Sequence, residues 1–100
     1  MLSKLTEVYP VSRVHVNKKE NVEFGLRDIF VNPSSISMIR SEPTMKRHLT
    51  EGRLPEGIDA RMEFSRISIT STNHSSSIVV VGDPEMIQDK LKQSKQLLQG

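Results

Sequence analysis

The sequence predicts an α+β fold: a small antiparallel sheet of four to five strands with one C-terminal helix packed on it. Three segments support this prediction. Residues 64–72 alternate between apolar and polar side chains, which indicates a strand with one solvent-exposed face. Residues 77–81 read SIVVV, an apolar run typical of a central strand that is covered on both faces. Residues 83–98 then have the start and the spacing of an amphipathic helix.

The start of the C-terminal helix is specified by three consecutive residues. Asp83 is a favourable N-cap, Pro84 fits the first helical position, and Glu85 is stabilised by the positive end of the helix dipole. Apolar residues then recur along one stripe that would face the sheet. This stripe comprises Ile87, Leu91 and Leu98.

Residues 5–16 are predicted to contain a half-buried strand, because apolar and polar side chains alternate over residues 13–16. Pro10 has no N–H to donate, so we expect this stretch to lie at a sheet edge or to start its strand at Val11. A polar turn is predicted at residues 17–21.

Residues 28–40 contain two apolar runs that are separated by Asn32 and Pro33. Asn-Pro is a turn signal, and the residue before proline is disfavoured in a helix. We therefore predict a strand, a sharp corner and a second strand here. Just before this region, Gly25 is predicted to make a bulge or a bend.

Residues 41–63 are predicted to be a long loop, because two prolines and two glycines interrupt them and charges of both signs are dense. One helical turn from the cap candidate Thr44 is compatible with the spacing of Met45 and Leu49. Loops of this length inside a compact domain are unusual and often functional. We therefore expect function in this segment, if any single segment carries it.

The order of these elements resembles the small flagellar family called FlbD and similar short proteins of bacteria and phages. The matching pieces are Val31 to Pro33, Ile36 to Ile39, Ile67 to Asn73 and Ile78 to Leu91. The chain departs from that pattern at the turn after Asn73, where His74 and three serines stand, and in the length of residues 41–63. The resemblance implies a small antiparallel sheet with a C-terminal helix, and no catalytic residues come with it.

Composition limits the class of protein further. The chain has 100 residues, which predicts one domain over residues 1–100. Only 35% of its residues are hydrophobic and 4% aromatic, so the core is small and a partner subunit is expected to help stabilise it. The absence of cysteine excludes disulfides and favours the cytoplasm. We expect neither a membrane span nor a signal peptide.

One group of basic residues is the best candidate for a ligand contact: Arg40, Lys46, Arg47, His48 and Arg53. Such a group could bind a partner protein or the phosphates of a nucleic acid. No aromatic residue lies between residues 31 and 63 to stack on bases, and neighbouring acidic residues offset the charge. The net charge of the whole chain is only +2. A protein contact is therefore favoured over a nucleic-acid contact.

Residues that could carry catalysis do not form a recognised arrangement. His15, His48 and His74 lack the spacing that brings imidazoles together on a metal. Serines next to His74 indicate a polar hairpin turn rather than an activated nucleophile. The sequence has no glycine-rich phosphate loop, and the carboxylates of residues 41–63 alternate with arginines as on a solvated surface. We predict no enzyme activity, no metal site and no cofactor.

The sequence thus predicts a non-enzymatic binding or regulatory module that acts through protein contacts and forms a homo-oligomer. Two alternatives remain open. One is a nucleic-acid-binding regulator that uses the basic residues from Arg40 to Arg53. The other is a small-ligand binder in which residues 41–63 form a lid at a subunit interface.

Overall fold

The computed structural model describes residues 1–11 and 23–99, with side chains described as far as residue 93. These residues contain five strands, two α-helices and one 3₁₀ turn. In chain order they are β1 (Ser3–Val11), β2 (Glu23–Val31), the 3₁₀ turn (Pro33–Ser35), β3 (Ile36–Ser41), α1 (Pro43–Thr50), β4 (Phe64–Thr70), β5 (Ser75–Val81) and α2 (Pro84–Gln99).

The strands form one sheet in the order β2-β1-β5-β4-β3, and every neighbouring pair is antiparallel. The C-terminal helix α2 packs on this sheet. The predicted α+β class, strand number and C-terminal helix are therefore confirmed. Asp83 caps α2 as predicted, since its Oδ1 accepts a hydrogen bond from the Met86 N–H at 2.8 Å.

Both faces of the sheet carry buried apolar side chains, because successive residues of a strand point to opposite faces. On one face, the α2 face, the sheet packs against Ile87 and Leu91 of the helix. Its buried strand residues are Leu5, Val31, Ile67 and Val80. On the other face, the α1 face, the sheet packs against Met45 of α1 and Leu54. There the buried strand residues are Val8, Phe64 and Val79.

The expectation that Pro10 places this stretch at a sheet edge or starts its strand at Val11 is wrong, because β1 is an inner strand that begins at Ser3 and ends at Val11. β1 pairs with β5 at Glu7 and Val8, whereas its pairing with β2 continues to Val11. At Pro10, β1 therefore has β2 as its neighbour on one side and, among the described residues, no strand on the other side. The missing N–H of Pro10 is compatible with this open side. The predictions for residues 13–16 and 17–21 lie outside the described residues.

The bulge predicted at Gly25 is wrong, because the register of β1 and β2 is unbroken from Ser3 to Val11. Gly25 instead stands opposite Tyr9, and a Cβ added to it would lie 3.0 Å from the Tyr9 ring. A side chain at this position would therefore require the Tyr9 ring to shift by a few tenths of an ångström. The register shift of the sheet occurs in β3, between Ile36 and Met38.

The sharp corner predicted at Asn32 and Pro33 is a 3₁₀ turn. The Asn32 side chain accepts a hydrogen bond from the Ser34 N–H at 3.0 Å, and the Ser35 N–H donates to the Asn32 carbonyl at 2.9 Å. This turn joins β2 to β3, the first and last strands in the sheet order. A connection this short spans at most about 18 Å, so the sheet must curl to bring these strand ends together.

The loop predicted at residues 41–63 is wrong in part, because α1 occupies Pro43–Thr50. The helix begins after Glu42 and not at the cap candidate Thr44. The residues that follow return to the sheet: the Phe24 N–H donates to the Arg53 carbonyl at 2.9 Å. Three partly buried side chains from this segment complete the α1-face core. These are Leu49, Ile58 and Met62.

Candidate protein-binding site

Arg40, the first member of the predicted basic cluster, lies in β3 directly opposite Arg66 of β4. Like charges in such a cross-strand pair repel each other. The Glu42 carboxylate offsets this repulsion, since the Arg66 Nε donates a hydrogen bond to its Oε1 at 2.6 Å. This hydrogen bond holds the pKa of Glu42 below its usual range, and the charges of Arg66 and Arg40 act in the same direction. An internal carboxylate thus partly neutralises the two guanidinium groups.

Three other members of the cluster make contacts within the chain. The Lys46 ammonium pairs with the Glu63 carboxylate. The Arg53 guanidinium lies 3.2 Å from the His48 Nδ1. The His48 ring also packs against Phe24 of β2, with 4.8 Å between the ring centroids. The His48–Phe24 contact joins α1 to the sheet, and the other two contacts join residues within the segment between β3 and β4.

Arg47 is the exposed member of the group on α1, and no ion-pair partner for it lies within residues 1–11 and 23–93. Lys46, Arg47 and His48 are consecutive, so their side chains leave the helix about 100° apart. The helix therefore spreads these three basic side chains around its circumference. The arrangement brings His48 and Arg53 together, whereas Arg40 lies on β3 and Arg47 extends from α1. A contact of the five residues with a partner or a phosphate stays a prediction.

A different surface feature has the form of a binding site. An open groove of about 440 Å³ runs between β3 and α2. We call it the β3–α2 groove. Its lining residues are Pro33, Ile36, Ser37, Met38, Ile39, Pro84, Gln88, Leu91 and Lys92.

The floor of the β3–α2 groove is apolar and its side is an open strand edge. β3 is the last strand of the sheet, so within the described residues one of its edges has no strand neighbour. The 3₁₀ turn supplies the buried Pro33, and α2 supplies Leu91. Met38 is 44% exposed. An edge strand of this kind can pair with a further strand through its N–H and C=O groups.

Polar side chains also line the β3–α2 groove, from Ser37, Gln88 and Lys92. Gln88 and Lys92 are exposed on α2, one helical turn apart. Lys92 is the one charged residue among the described residues that line the groove. This combination of an apolar floor, an open backbone edge and one cation suits an extended peptide better than a reacting small molecule.

Sequence reasoning missed this groove, although it predicted both of its walls. Ile36, Met38 and Ile39 were assigned to a strand, and Gln88 and Lys92 lie in the predicted helix. The strand order decides that β3 is an edge and that α2 lies beside it. Strand order depends on long-range pairing, which the local sequence pattern does not specify.

The structure also bears on the other classes of function. Among the described residues, no group of three or more histidine, aspartate or glutamate side chains is placed to hold a metal ion. No helix in the described part of the chain is long and apolar enough to cross a membrane. Comparison with protein-family models, curated proteins and solved structures finds no match to this chain. The resemblance to the FlbD family stays a prediction.

Proposed function

We propose that this chain is a non-enzymatic protein-binding module that docks an extended segment of a partner protein along β3, in the β3–α2 groove. One observation carries the proposal: the open edge of β3 runs beside an apolar groove that α2 closes on its far side. A peptide added to such an edge gains main-chain hydrogen bonds from the strand. Its alternate side chains gain apolar contacts from the groove.

The energetics of the site agree with this mode of binding. Main-chain hydrogen bonds do not depend on the peptide sequence, so they supply affinity without much selectivity. Apolar side chains that leave water for the floor of the groove each contribute on the order of 1 kcal/mol or more. The α1 face has a smaller opening, of about 230 Å³, whose lining includes Val8, Met45 and Val79.

Self-association is a second proposal, and it concerns the opposite edge of the sheet. β2 is the first strand in the sheet order, and beyond Phe24 the described residues leave its outer edge open. Leu2 and Phe30 lie near this edge and are 55% and 60% exposed. An apolar corner beside an open strand edge favours pairing between two copies of the chain.

A pair of matched substitutions on α2 tests the peptide-binding proposal. Gln88→Trp places an indole in the β3–α2 groove, whereas Gln93→Trp makes the same change at an exposed position outside its lining. Peptides would be selected on the unmodified chain from a displayed library of random octapeptides. We expect Gln88→Trp to weaken their binding at least tenfold, which corresponds to about 1.4 kcal/mol of binding free energy. Gln93→Trp should leave the binding unchanged.

Amide hydrogen exchange supplies an independent measurement of the same event. A bound strand should slow exchange of the amides in Ile36–Ser41, because its backbone pairs with theirs. Binding that is equally strong in Gln88→Trp, or that leaves these amides unprotected, would overturn the proposal.

For self-association, Phe30→Lys should shift the chain toward the monomer in size-exclusion chromatography with light scattering. A monomeric unmodified chain at micromolar concentration would remove that second proposal.

A further inference from the structure

We infer that the β3–α2 groove selects an acidic peptide: an extended segment that runs antiparallel to β3 and carries an aspartate or glutamate side chain in its C-terminal half. This inference rests on the proposed function and names the partner chemistry for the same site. It follows from the direction of the sheet, the direction of α2 and the charge in the groove.

The direction of the bound segment follows from the sheet. All of its neighbouring pairs are antiparallel. An antiparallel addition continues that pattern, and its hydrogen bonds are perpendicular to the strands and slightly more stable than those of a parallel pair. The N-terminal half of the peptide then lies beside Arg40 and Ser41, and its C-terminal half lies beside Ile36.

The position of Lys92 follows from the direction of α2. The helix starts next to the end of β5 that pairs with Phe64, and Ser65 pairs with Ser41 of β3. Pro84 is therefore near the Ser41 end of β3. Lys92 is eight residues further along α2, about 12 Å away, and reaches the Ile36 end. The cation thus stands where the C-terminal half of an antiparallel peptide would lie.

The charge of the groove then indicates the charge of the peptide that it binds. No ion-pair partner of Lys92 lies within residues 1–11 and 23–93. The carboxylates of α2 and of its cap, which are Asp83, Glu85 and Asp89, all lie outside the lining of the groove. The groove lining therefore offers a carboxylate one cation, Lys92, at its Ile36 end. Arg40, at the Ser41 end, lies outside the lining, and the Glu42 carboxylate offsets part of its charge. Its lining is otherwise apolar or neutral.

The test uses two displayed octapeptide libraries and a charge-reversal variant. In the first library the peptides are fused at their C-terminus to the display protein, so a carboxylate can come only from a side chain. In the second the peptides end in a free carboxylate. Lys92→Glu is compared with Arg47→Glu, which makes the same charge change on the exposed side of α1, outside the lining of the groove.

We expect peptides from the first library to be enriched in Asp and Glu in their C-terminal half. Lys92→Gln should weaken their binding roughly two- to fivefold, the scale of a solvent-exposed ion pair, and added salt should reduce the difference. Lys92→Glu should abolish the acidic preference or reverse it toward Lys and Arg. Arg47→Glu should leave it intact.

The outcomes separate this inference from the proposed function. Peptides that bind, lose binding in Gln88→Trp and yet show no acidic preference would overturn the inference alone. Enrichment confined to the second library would overturn it in favour of capture of a chain terminus. A dimer that protects the amides of β3 in the absence of peptide would show that a second copy occupies the groove. Peptides that bind equally to Gln88→Trp would overturn the proposed function as well.

Discussion

The two faces of the sheet are both covered, but by segments that are held in different ways. The α2 face is covered by a helix whose start is fixed locally, by the Asp83 side chain at its own first turn. The α1 face is covered by an eight-residue helix and the residues after it. Glu42 precedes α1 but makes no side-chain hydrogen bond to cap it.

Contacts between distant parts of the chain replace the missing cap. Arg66 binds Glu42 from β4, and the Lys46 ammonium pairs with Glu63 at the far end of the segment. The Gly82 N–H donates to the Glu63 carbonyl at 2.8 Å, which ties that end to the start of α2. The cover of the α2 face is therefore specified by short-range sequence features, and the cover of the α1 face by long-range contacts. The stability of α2 and that of the segment containing α1 should therefore respond differently to substitution.

The largest effect is expected from Ile87→Ala, which removes a side chain of α2 that is fully buried in the α2-face core. Substitutions of this kind cost about 2–5 kcal/mol, because apolar contacts are lost and a cavity remains. We expect a loss in the upper half of that range, measured as the free energy of unfolding in urea. Ile87→Val should cost only about 0.5–1.5 kcal/mol. A loss below about 1 kcal/mol for the alanine variant would contradict the assignment of α2 as the cover of this face.

A smaller effect is expected from Met45→Ala, the equivalent truncation on the α1 face. Met45 is buried, but it lies on a short helix, and the higher helix propensity of alanine offsets part of the loss. We expect a cost of about 2 kcal/mol. Because the contacts of α1 are long-range, amide exchange should accelerate in Pro43–Thr50 more than in α2.

The exposed neighbour Thr44 provides the control for that measurement. Thr44→Ala should change stability by less than about 0.5 kcal/mol, the usual range for surface positions. Equal acceleration of exchange in α1 and α2 after Met45→Ala would mean that the two faces unfold as one unit. That result would contradict the proposed difference between the α1 face and the α2 face.

The same difference explains what could be predicted from the sequence. Ile67 and Ile69 alternate with polar residues, and Asp83 and Pro84 mark a helix start, so the sheet and α2 follow from local patterns. Each of these features can be recognised within a window of a few residues. The fold class and the α2-face core were therefore predictable.

The α1-face core was not predictable in the same way. Met45, Leu54 and Met62 are too far apart for one periodic pattern, and Gly52 and Gly57 adopt positive φ between them. Such spacing is equally compatible with an exposed loop. The intramolecular contacts of the basic residues were not predictable for a related reason. Their partners, such as Glu63 for Lys46, are distant in sequence.

Asp83→Ala tests the N-cap hydrogen bond at the start of α2. The substitution removes the hydrogen bond to the Met86 N–H, and lost N-caps cost about 0.5–2 kcal/mol. We expect a loss near 1 kcal/mol, and Asp83→Asn should recover most of it because the amide oxygen also accepts. The free energies of unfolding of the three proteins provide the measurement. An asparagine variant as unstable as the alanine variant would show that the cap bond is not the cause.

An effect of similar size, but one that depends on pH, is expected at Glu42, the carboxylate that links α1 to β4. Its folded-state pKa lies below its usual value, chiefly because Arg66 donates a hydrogen bond to it. A lowered pKa stabilises the fold above the unfolded-state pKa, and this contribution is lost as the pH falls through the folded-state pKa. Glu42→Gln should therefore be less stable than the unmodified chain by about 1 kcal/mol at neutral pH, where Arg40 and Arg66 would repel without compensation. The two proteins should converge as the pH falls below the ordinary pKa of glutamate and through the lower folded-state pKa of Glu42, whereas Glu56→Gln, on the exposed part of the same segment, should follow the unmodified chain. A stability difference at Glu42 that does not change with pH would attribute the link to packing and not to charge.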